Sequence, residues 1–316
     1  MNKVIVSICI PAYKRVIYLK RLLDSIAEQT FRDFEVIVSD DSPDSSVEAL
    51  LSLFNNSFRI SYFKNAKPLG TPANWNFAIS KASGDWVKLM HDDDWFSSSE
   101  SLQLFVNEIK KGNKFIFSAY SNVLEESGTI EKKYFPFSWS KRILHQPMTL
   151  LAHNVIGPPS VTMLFRGVSE KYDERMKWRV DMDFYVRMLK KEAKFTVINK
   201  RIINVGVNER QVTNDCFENP AVELPEGFLL LEKYGAKALT NIFVYDAWWR
   251  LLRNMQITTT QQLNEYVSAQ WPEAIVAIVK HLNKTPKWLL KIGIASKFFM
   301  TMSFISNFFC KKEGLF

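Results

Sequence analysis

Gly84-Asp85-Trp86-Val87-Lys88-Leu89-Met90-His91-Asp92-Asp93-Asp94-Trp95-Phe96 carries a short strand-like run, residues 86–90, into three consecutive carboxylates. Adjacent like charges repel, so a fold that gathers three of them needs a compensating partner, and a divalent cation with oxygen ligands is the commonest. The competing reading makes them turn residues and caps ahead of a helix, because Ser97 and Glu100 have capping-box spacing. The flanking sequence tilts the choice toward a cation.

Upstream, residues 4–10 form a continuous, largely β-branched run of the kind buried on both faces of a sheet, ending at Pro11-Ala12-Tyr13-Lys14-Arg15. Leu19, Leu22, Leu23 and Ile26 then recur at helical spacing. Residues 34–39 read as a second buried strand stopped by Asp40-Asp41, residues 47–54 as a helix, and 60–63 as a third strand. Strand and helix in alternation predict an α/β fold around a mostly parallel sheet with right-handed crossovers. Ligands of such sheets bind beyond the carboxyl ends of strands, where Tyr13 to Arg15, Asp40-Asp41 and the acidic triplet all fall. Neither a G-x-G-x-x-G nor a P-loop pattern occurs, so the usual glycine-rich cradles for dinucleotides and triphosphates are not supported.

In this order and spacing the segments resemble the nucleotide-sugar half of the family 2 inverting glycosyltransferases. Val6-Ser7-Ile8-Cys9-Ile10-Pro11-Ala12-Tyr13 resembles the family's opening strand, and Gln29-Thr30 with Phe34-Glu35-Val36-Ile37-Val38-Ser39-Asp40-Asp41-Ser42 its second. Gly70, Asn74, Asn76 and Ala82-Ser83-Gly84-Asp85-Trp86 resemble the approach to its Asp-x-Asp strand. The resemblance implies a GT-A type three-layer sandwich and a nucleoside-diphosphate sugar donor, with uridine the frequent base. It implies that Tyr13 stacks on the base and that Asp41, beside Asp40, accepts from the base's ring N–H. Pro11, Arg15, Asn76 and Asp92 join that donor site, and Asp93, helped by Asp92 or Asp94, holds Mn²⁺ or Mg²⁺ on the diphosphate. This chain has Lys14 where the family often has Asn, and His91 where it often has Asp, which leaves the ligand set within 91–94 open.

Beyond residue 97 the pattern thins. Leu102, Phe105, Val106 and Ile109 mark an amphipathic helix, 114–119 a strand, and 122–139 a surface excursion. Gly157-Pro158-Pro159-Ser160 leads into a strand at 161–165 and resembles the family's acceptor-side loop, although a plain turn fits equally well. In Trp178-Arg179-Val180-Asp181-Met182-Asp183-Phe184-Tyr185 the apolar spacing places Asp181 at a helix N-terminus, where an N-cap explains it. The resemblance instead makes Asp181 the catalytic base, with Asp183 in support, and Arg210 in a later loop the cation that closes over the diphosphate.

Pro220 and Pro225 bracket a predicted linker, followed by helices to the end. The expected organisation is a donor half (1–97), an acceptor half (98–219) and a helical C-terminal region (220–316). Trp248, Trp249 and Trp271 read as core. Residues 288–310 are apolar all round, yet their longest uncharged run, 298–310, falls short of the ~20 residues that span a bilayer.

The 316 residues are 47% hydrophobic, enough for a large core, with a net charge of +8. Lys280, Lys284, Lys287, Lys291, Lys297, Lys311 and Lys312 face only Glu313 in the tail, so the body is nearly neutral and nucleic-acid binding is not supported. A basic, Phe-rich tail suits either burial against the rest or peripheral attachment to an anionic membrane, which would favour a lipid-linked or glycan acceptor. Three separated cysteines without a CxxC pair indicate neither a disulfide framework nor a zinc site, and no export signal is read at the start, so a cytoplasmic location is expected. A nucleotidyltransferase that makes nucleotide sugars and a non-catalytic nucleotide-sugar-binding scaffold are the competing readings. The first would need a basic glycine-rich loop after the opening strand, and the second predicts damaged acids at 93, 94 and 181.

Overall fold

Val6–Ala12 (β1) and Phe34–Asp40 (β2) are buried almost throughout, as apolar runs must be when both sheet faces are covered. The computed structural model describes residues 4–168, 170–208 and 212–309. They form two compact units, the first drawn from 4–147, 155–176 and 183–208, the second from 148–154, 177–182 and 212–309.

The first unit is built on one sheet, which also holds Arg59–Lys64 (β3), Trp86–Leu89 (β4), Trp95–Phe96 (β5), Phe115–Leu124 (β6), Ile130–Lys133 (β7), Thr162–Phe165 (β8) and Thr196–Val207 (β9). The order is β3-β2-β1-β4-β8-β6-β9-β5, with β7 hairpinned onto β6. Strands β1 to β4 are mutually parallel where they pair, β8 runs antiparallel between β4 and β6, and β9 is parallel to β6. The sheet is therefore mixed but mostly parallel, and the carboxyl ends of β2, β1 and β4 share an edge. Helix Val16–Ala27 packs Leu19, Leu22, Leu23 and Ile26 into the core beneath that edge, as their spacing predicts.

Several sequence features acquire a physical reason. Pro11 lacks an N–H, but β1 pairs with β4 only as far as Cys9, so its position needs no donor on that side. Gly84 is pressed onto β1: a Cβ there would lie 2.8 Å from the Ser7 nitrogen. Beside it, buried Glu35 accepts from the Ser7 hydroxyl and from both the N–H and hydroxyl of Ser83 (all 2.7 Å), fixing the turn before β4.

Three expectations are corrected. No capping box joins Ser97 to Glu100; the helix is Ser101–Ile109, and the Leu102 N–H donates to the Gln29 side chain (2.8 Å) from a distant loop. The excursion at 122–139 contains the end of β6 and β7. Pro220 and Pro225 lie inside helix Pro220–Tyr234: Pro220 occupies its first position, where an N–H is dispensable, and Asn219 caps it by accepting from Ala221 N–H (3.1 Å).

The second unit is helical. Ile242–Asn254, Thr260–Tyr266, Glu273–Lys284 and Gly293–Phe308 join Pro220–Tyr234 around a core that includes Trp248, Trp249 and Trp271, as expected. Among the described residues no helix is long and apolar enough to cross a membrane. Helix Gly293–Phe308 carries apolar residues on opposite faces, as its sequence indicates; it buries Met300 and Phe304 on one and exposes Phe298 and Met302 on the other.

Because backbone atoms crowd Gly84, Gly84→Ala should lower the free energy of unfolding by about 1–3 kcal/mol through overpacking. Urea denaturation measures this, and an unchanged midpoint would contradict the close packing of this turn against β1.

Candidate functional site

At the end of β1 the chain turns sharply. Lys14 takes a left-handed φ of 63° and donates its N–H to the Ser42 hydroxyl (2.8 Å), which ties the β1 end to the β2 end. Tyr13 is left 47% exposed with its ring available. Arg15 reaches across to the acidic triplet, with Nη2 2.9 Å from Asp92 Oδ1 and Nη1 2.8 Å from Asp93 Oδ2.

The triplet is nearly enclosed, and its members face different partners. Asp92 is engaged by Arg15, yet burial still pushes its carboxyl up to about 7. Asp94 is raised well above the usual range by burial and by Asp93; the Ser160 hydroxyl and the Gly206 N–H (3.2 Å) oppose that rise. Asp93, Asp94 and His91 bring one ligand atom each within 4.8 Å of one another. Burial holds the His91 imidazole down to about 4, so it is neutral at physiological pH, and its enclosed Nε2 has no hydrogen-bond partner. A neutral imidazole whose Nδ1 lies 4.0 Å from Asp94 Oδ2, with Asp93 beside it, fits a divalent cation; His91, Asp93 and Asp94 would hold it. The sequence pointed to Asp92, Asp93 and Asp94 with the set within 91–94 open; Arg15 pairs with both Asp92 and Asp93, and the ligand atoms that lie close together are those of His91, Asp93 and Asp94. His91 carried only a weak signal, its place directly before the acids.

Positive charge and packing hold this cluster in place. Lys88, fully buried on β4, donates to the Ser160 carbonyl, lies 4.9 Å from the Phe105 ring centre and is pushed down to about 7 by desolvation, with Asp94 opposing. Ser160 also accepts from the His91 N–H (2.9 Å), so the Gly157 to Ser160 loop is a wall of the acidic cluster. Arg21 stacks on Trp95 (3.6 Å to the ring centre) and donates to the Asp93 carbonyl (2.8 Å) and to Glu125 (2.7 Å). Gly206 closes the cradle: a Cβ there would meet the Asp93 carbonyl oxygen at 2.5 Å. Lys88 and Arg21 gave no sequence signal, because a buried cation is recognised only once its anion is placed.

The β2 end is occupied largely by the protein itself. Asp40 is fully buried, accepting from Ser42 N–H (2.7 Å), the Tyr62 hydroxyl (2.9 Å) and Lys64 Nζ (2.9 Å). Asp41 accepts from the Asn65 amide (2.8 Å), Leu69 N–H (3.0 Å) and Gly70 N–H (2.9 Å). A carboxylate has about four acceptor sites, so Asp41 keeps about one for a ligand. Both amide hydrogens of Asn76 go to the Tyr172 carbonyl and Glu174 (2.9 Å each), which makes it a holder of that segment.

In the second unit Asp181 opens helix Val180–Glu192, accepting from Met182 N–H and from the Asn154 amide (2.7 Å each). Burial, with a contribution from Glu226, pushes its carboxyl up to about 7. Glu226 is anchored by the N–H groups of Lys177, Trp178 and Arg179 (2.6–3.0 Å for the nearer contacts), a role its sequence position did not disclose. Asp183 falls in the first unit, fully buried and paired with Arg187 Nε (2.9 Å). Arg210 lies outside the described residues.

Asp92 and Asp94 bind protons more tightly in the folded chain than in an unfolded one, so metal-free stability should fall as pH rises from about 4 to 7. A cation relieves that penalty only where the acids are ionised. The thermal shift caused by Mn²⁺ should therefore be larger at about pH 7.5 than at about pH 5; equal shifts would contradict the assignment of Asp94 to a metal cluster.

Comparison with known proteins fixes the family. The Glycosyl transferase family 2 profile matches residues 7–173. The GalNAc(5)-diNAcBac-PP-undecaprenol beta-1,3-glucosyltransferase of Campylobacter jejuni subsp. jejuni is 31% identical over 130 residues, 40% of this chain and 41% of that protein, so the chain matches about two fifths of that relative. Residues 1–349 of S. aureus TarS in complex with UDP-GlcNAc superpose with a TM-score of 0.58 at 16% identity, covering 96% of this chain and 91% of that one. The mannosyltransferase PcManGT from Pyrobaculum calidifontis, in complex with GDP-Man and Mn²⁺, gives 0.57 at 12% identity, covering 98% and 89%. These likenesses show the GT-A fold. The matched span runs from β1 through the acidic cluster to the segment held by Asn76, and the chain belongs to glycosyl transferase family 2 as a glycosyltransferase.

Proposed function

We propose that the chain moves a sugar from a nucleoside-diphosphate sugar, preferentially a UDP-sugar, to a hydroxyl of a glycan or lipid-linked acceptor, with inversion and in a metal-dependent manner. The observation that carries this reading is the grouping of His91, Asp93 and Asp94 at the end of β4, with one ligand atom of each within 4.8 Å of the others. The TarS and PcManGT complexes support a nucleotide-sugar donor, the PcManGT complex supports Mn²⁺, and the undecaprenol-linked substrate in the Campylobacter enzyme's name supports a lipid-carried acceptor in cell-surface glycan or polysaccharide synthesis.

Tyr13 offers its exposed ring to the base, and Asp41 its remaining acceptor site to the base's N–H. Arg15, already directed at the triplet, is placed to meet the diphosphate oxygens. A divalent ion on His91, Asp93 and Asp94 supplies charge that offsets the negative charge developing on the leaving diphosphate. Asp181 takes the acceptor hydroxyl's proton: a carboxyl pushed up to about 7 is matched to that task near neutral pH. Asp183, bound to Arg187, supports the helix that carries Asp181. The basic tail supports peripheral attachment to the inner face of the cytoplasmic membrane.

Two measurements test this. In a thermal-shift panel of nucleoside diphosphates with and without Mn²⁺, UDP should stabilise the chain only with metal present; stabilisation independent of metal would remove the cluster from donor binding. Asp181→Asn should lower turnover by about 10²–10⁴-fold while leaving the UDP-dependent shift intact. Turnover at the wild-type level would take Asp181 out of the role.

A further inference from the structure

The strongest unexplained surface is in the second unit, on helix Gly293–Phe308. Ile294, Phe298, Met302, Ile305 and Phe309 recur at steps of four, four, three and four, which puts them on one stripe. They are exposed, Ile294 by 87% and Phe298 by 60%. The opposite face packs Ser296, Met300, Ser303 and Phe304 into the core, so the stripe is not a misassigned interior. The preceding turn adds exposed Trp288 and Ile292, and exposed Lys287 and Lys291 stand among them. Lys297 on the helix is also exposed and pairs with Asp246 at 2.9 Å.

Alongside, a cleft of about 470 Å³ is bounded by helix Glu273–Lys284 and by Ser306 and Asn307 of the stripe-bearing helix. Lys280 and Lys284, four residues apart on one helical face, line it with Trp271; Glu273 is the one acid in its wall. Two ammonium groups on one wall suit a phosphate carrying more than one negative charge.

We infer that the stripe is a membrane-docking face and that the cleft beside it takes the phosphate of a lipid headgroup. Apolar side chains flanked by lysines match an anionic bilayer surface: the stripe enters the acyl boundary while Lys287 and Lys291 remain at headgroup level. Because Ser306 and Asn307 sit on the same helix as the stripe, a docked helix brings the cleft to the depth of lipid phosphates. This deepens the peripheral attachment proposed above and rests on it. Its test uses no sugar transfer, so its failure leaves the glycosyl-transfer reading standing.

The test is co-sedimentation of the full chain with vesicles of phosphatidylcholine alone, with added phosphatidylglycerol, and with added phosphatidic acid at equal lipid charge. The wild type should pellet with both anionic mixtures, more strongly with phosphatidic acid, and stay in solution with phosphatidylcholine. Phe298→Ser with Ile305→Ser, both exposed and so compatible with an unchanged circular dichroism spectrum, should abolish pelleting. Lys280→Gln with Lys284→Gln should cost roughly 25-fold in affinity for phosphatidic acid, at about fivefold per lysine, and erase the preference over phosphatidylglycerol. A wild type that stays in solution with every vesicle, or a serine variant that pellets like it, overturns the docking face. A preference for phosphatidic acid that survives the glutamine variant, or is absent from the wild type, overturns the headgroup site. Light scattering that shows a wild-type dimer converted to monomer by the serine variant assigns the stripe to a second copy of the chain and overturns the membrane assignment.

Discussion

Mutual repulsion among Asp92, Asp93 and Asp94 is the constraint around which the first unit is organised. At about 4 Å and an effective dielectric near 20, two like charges cost about 4 kcal/mol, so an enclosed strand end with three carboxyls relieves them by holding protons on Asp92 and Asp94 more tightly and by drawing opposing charge from elsewhere in the chain. Arg15 supplies it from the end of β1, Lys88 from beneath on β4, and Arg21 fixes the backbone between them by holding the Asp93 carbonyl. Each comes from an element that the sheet order makes a neighbour. The parallel pairing of β1 with β4 carries Arg15 across, and β9 delivers Gly206, the residue whose missing side chain leaves room for the Asp93 carbonyl.

What the sequence disclosed follows from how local each signal is. Buried runs such as 6–12 and 34–40, and the Leu19 to Ile26 stripe, report their surroundings through their own composition, and these elements lie where their patterns put them. The resemblance named the family and the fold because the motifs sit at fixed places on that framework. Ser97 and Glu100 misled because the Gln29 side chain, remote in sequence, serves the helix start instead. Pro220 and Pro225 misled because a proline early in a helix gives the same signal as one in a linker.

The candidate site was legible as a set of positions but less so as a set of roles. His91 becomes a ligand candidate through the fold that brings its ring within reach of Asp93 and Asp94. Asp40 and Asn76 stand where their motifs place them, yet spend their hydrogen-bonding capacity on Ser42, Tyr62 and Lys64 and on the segment at 172–174. Glu226 acts through three successive backbone N–H groups, and nothing in its neighbours' identities announces that. Tertiary hydrogen bonding decides these roles, and sequence spacing does not record it.

The built-in arginine has a consequence for how any ion is kept. Arg15 has already neutralised part of the acidic charge, so an incoming divalent ion gains less from the carboxylates than it would in a cage of free acids. Under the proposed function its residence then depends on the diphosphate that shares it. Each of the two then strengthens the other's hold, so the affinity for the ion rises when the nucleotide is bound.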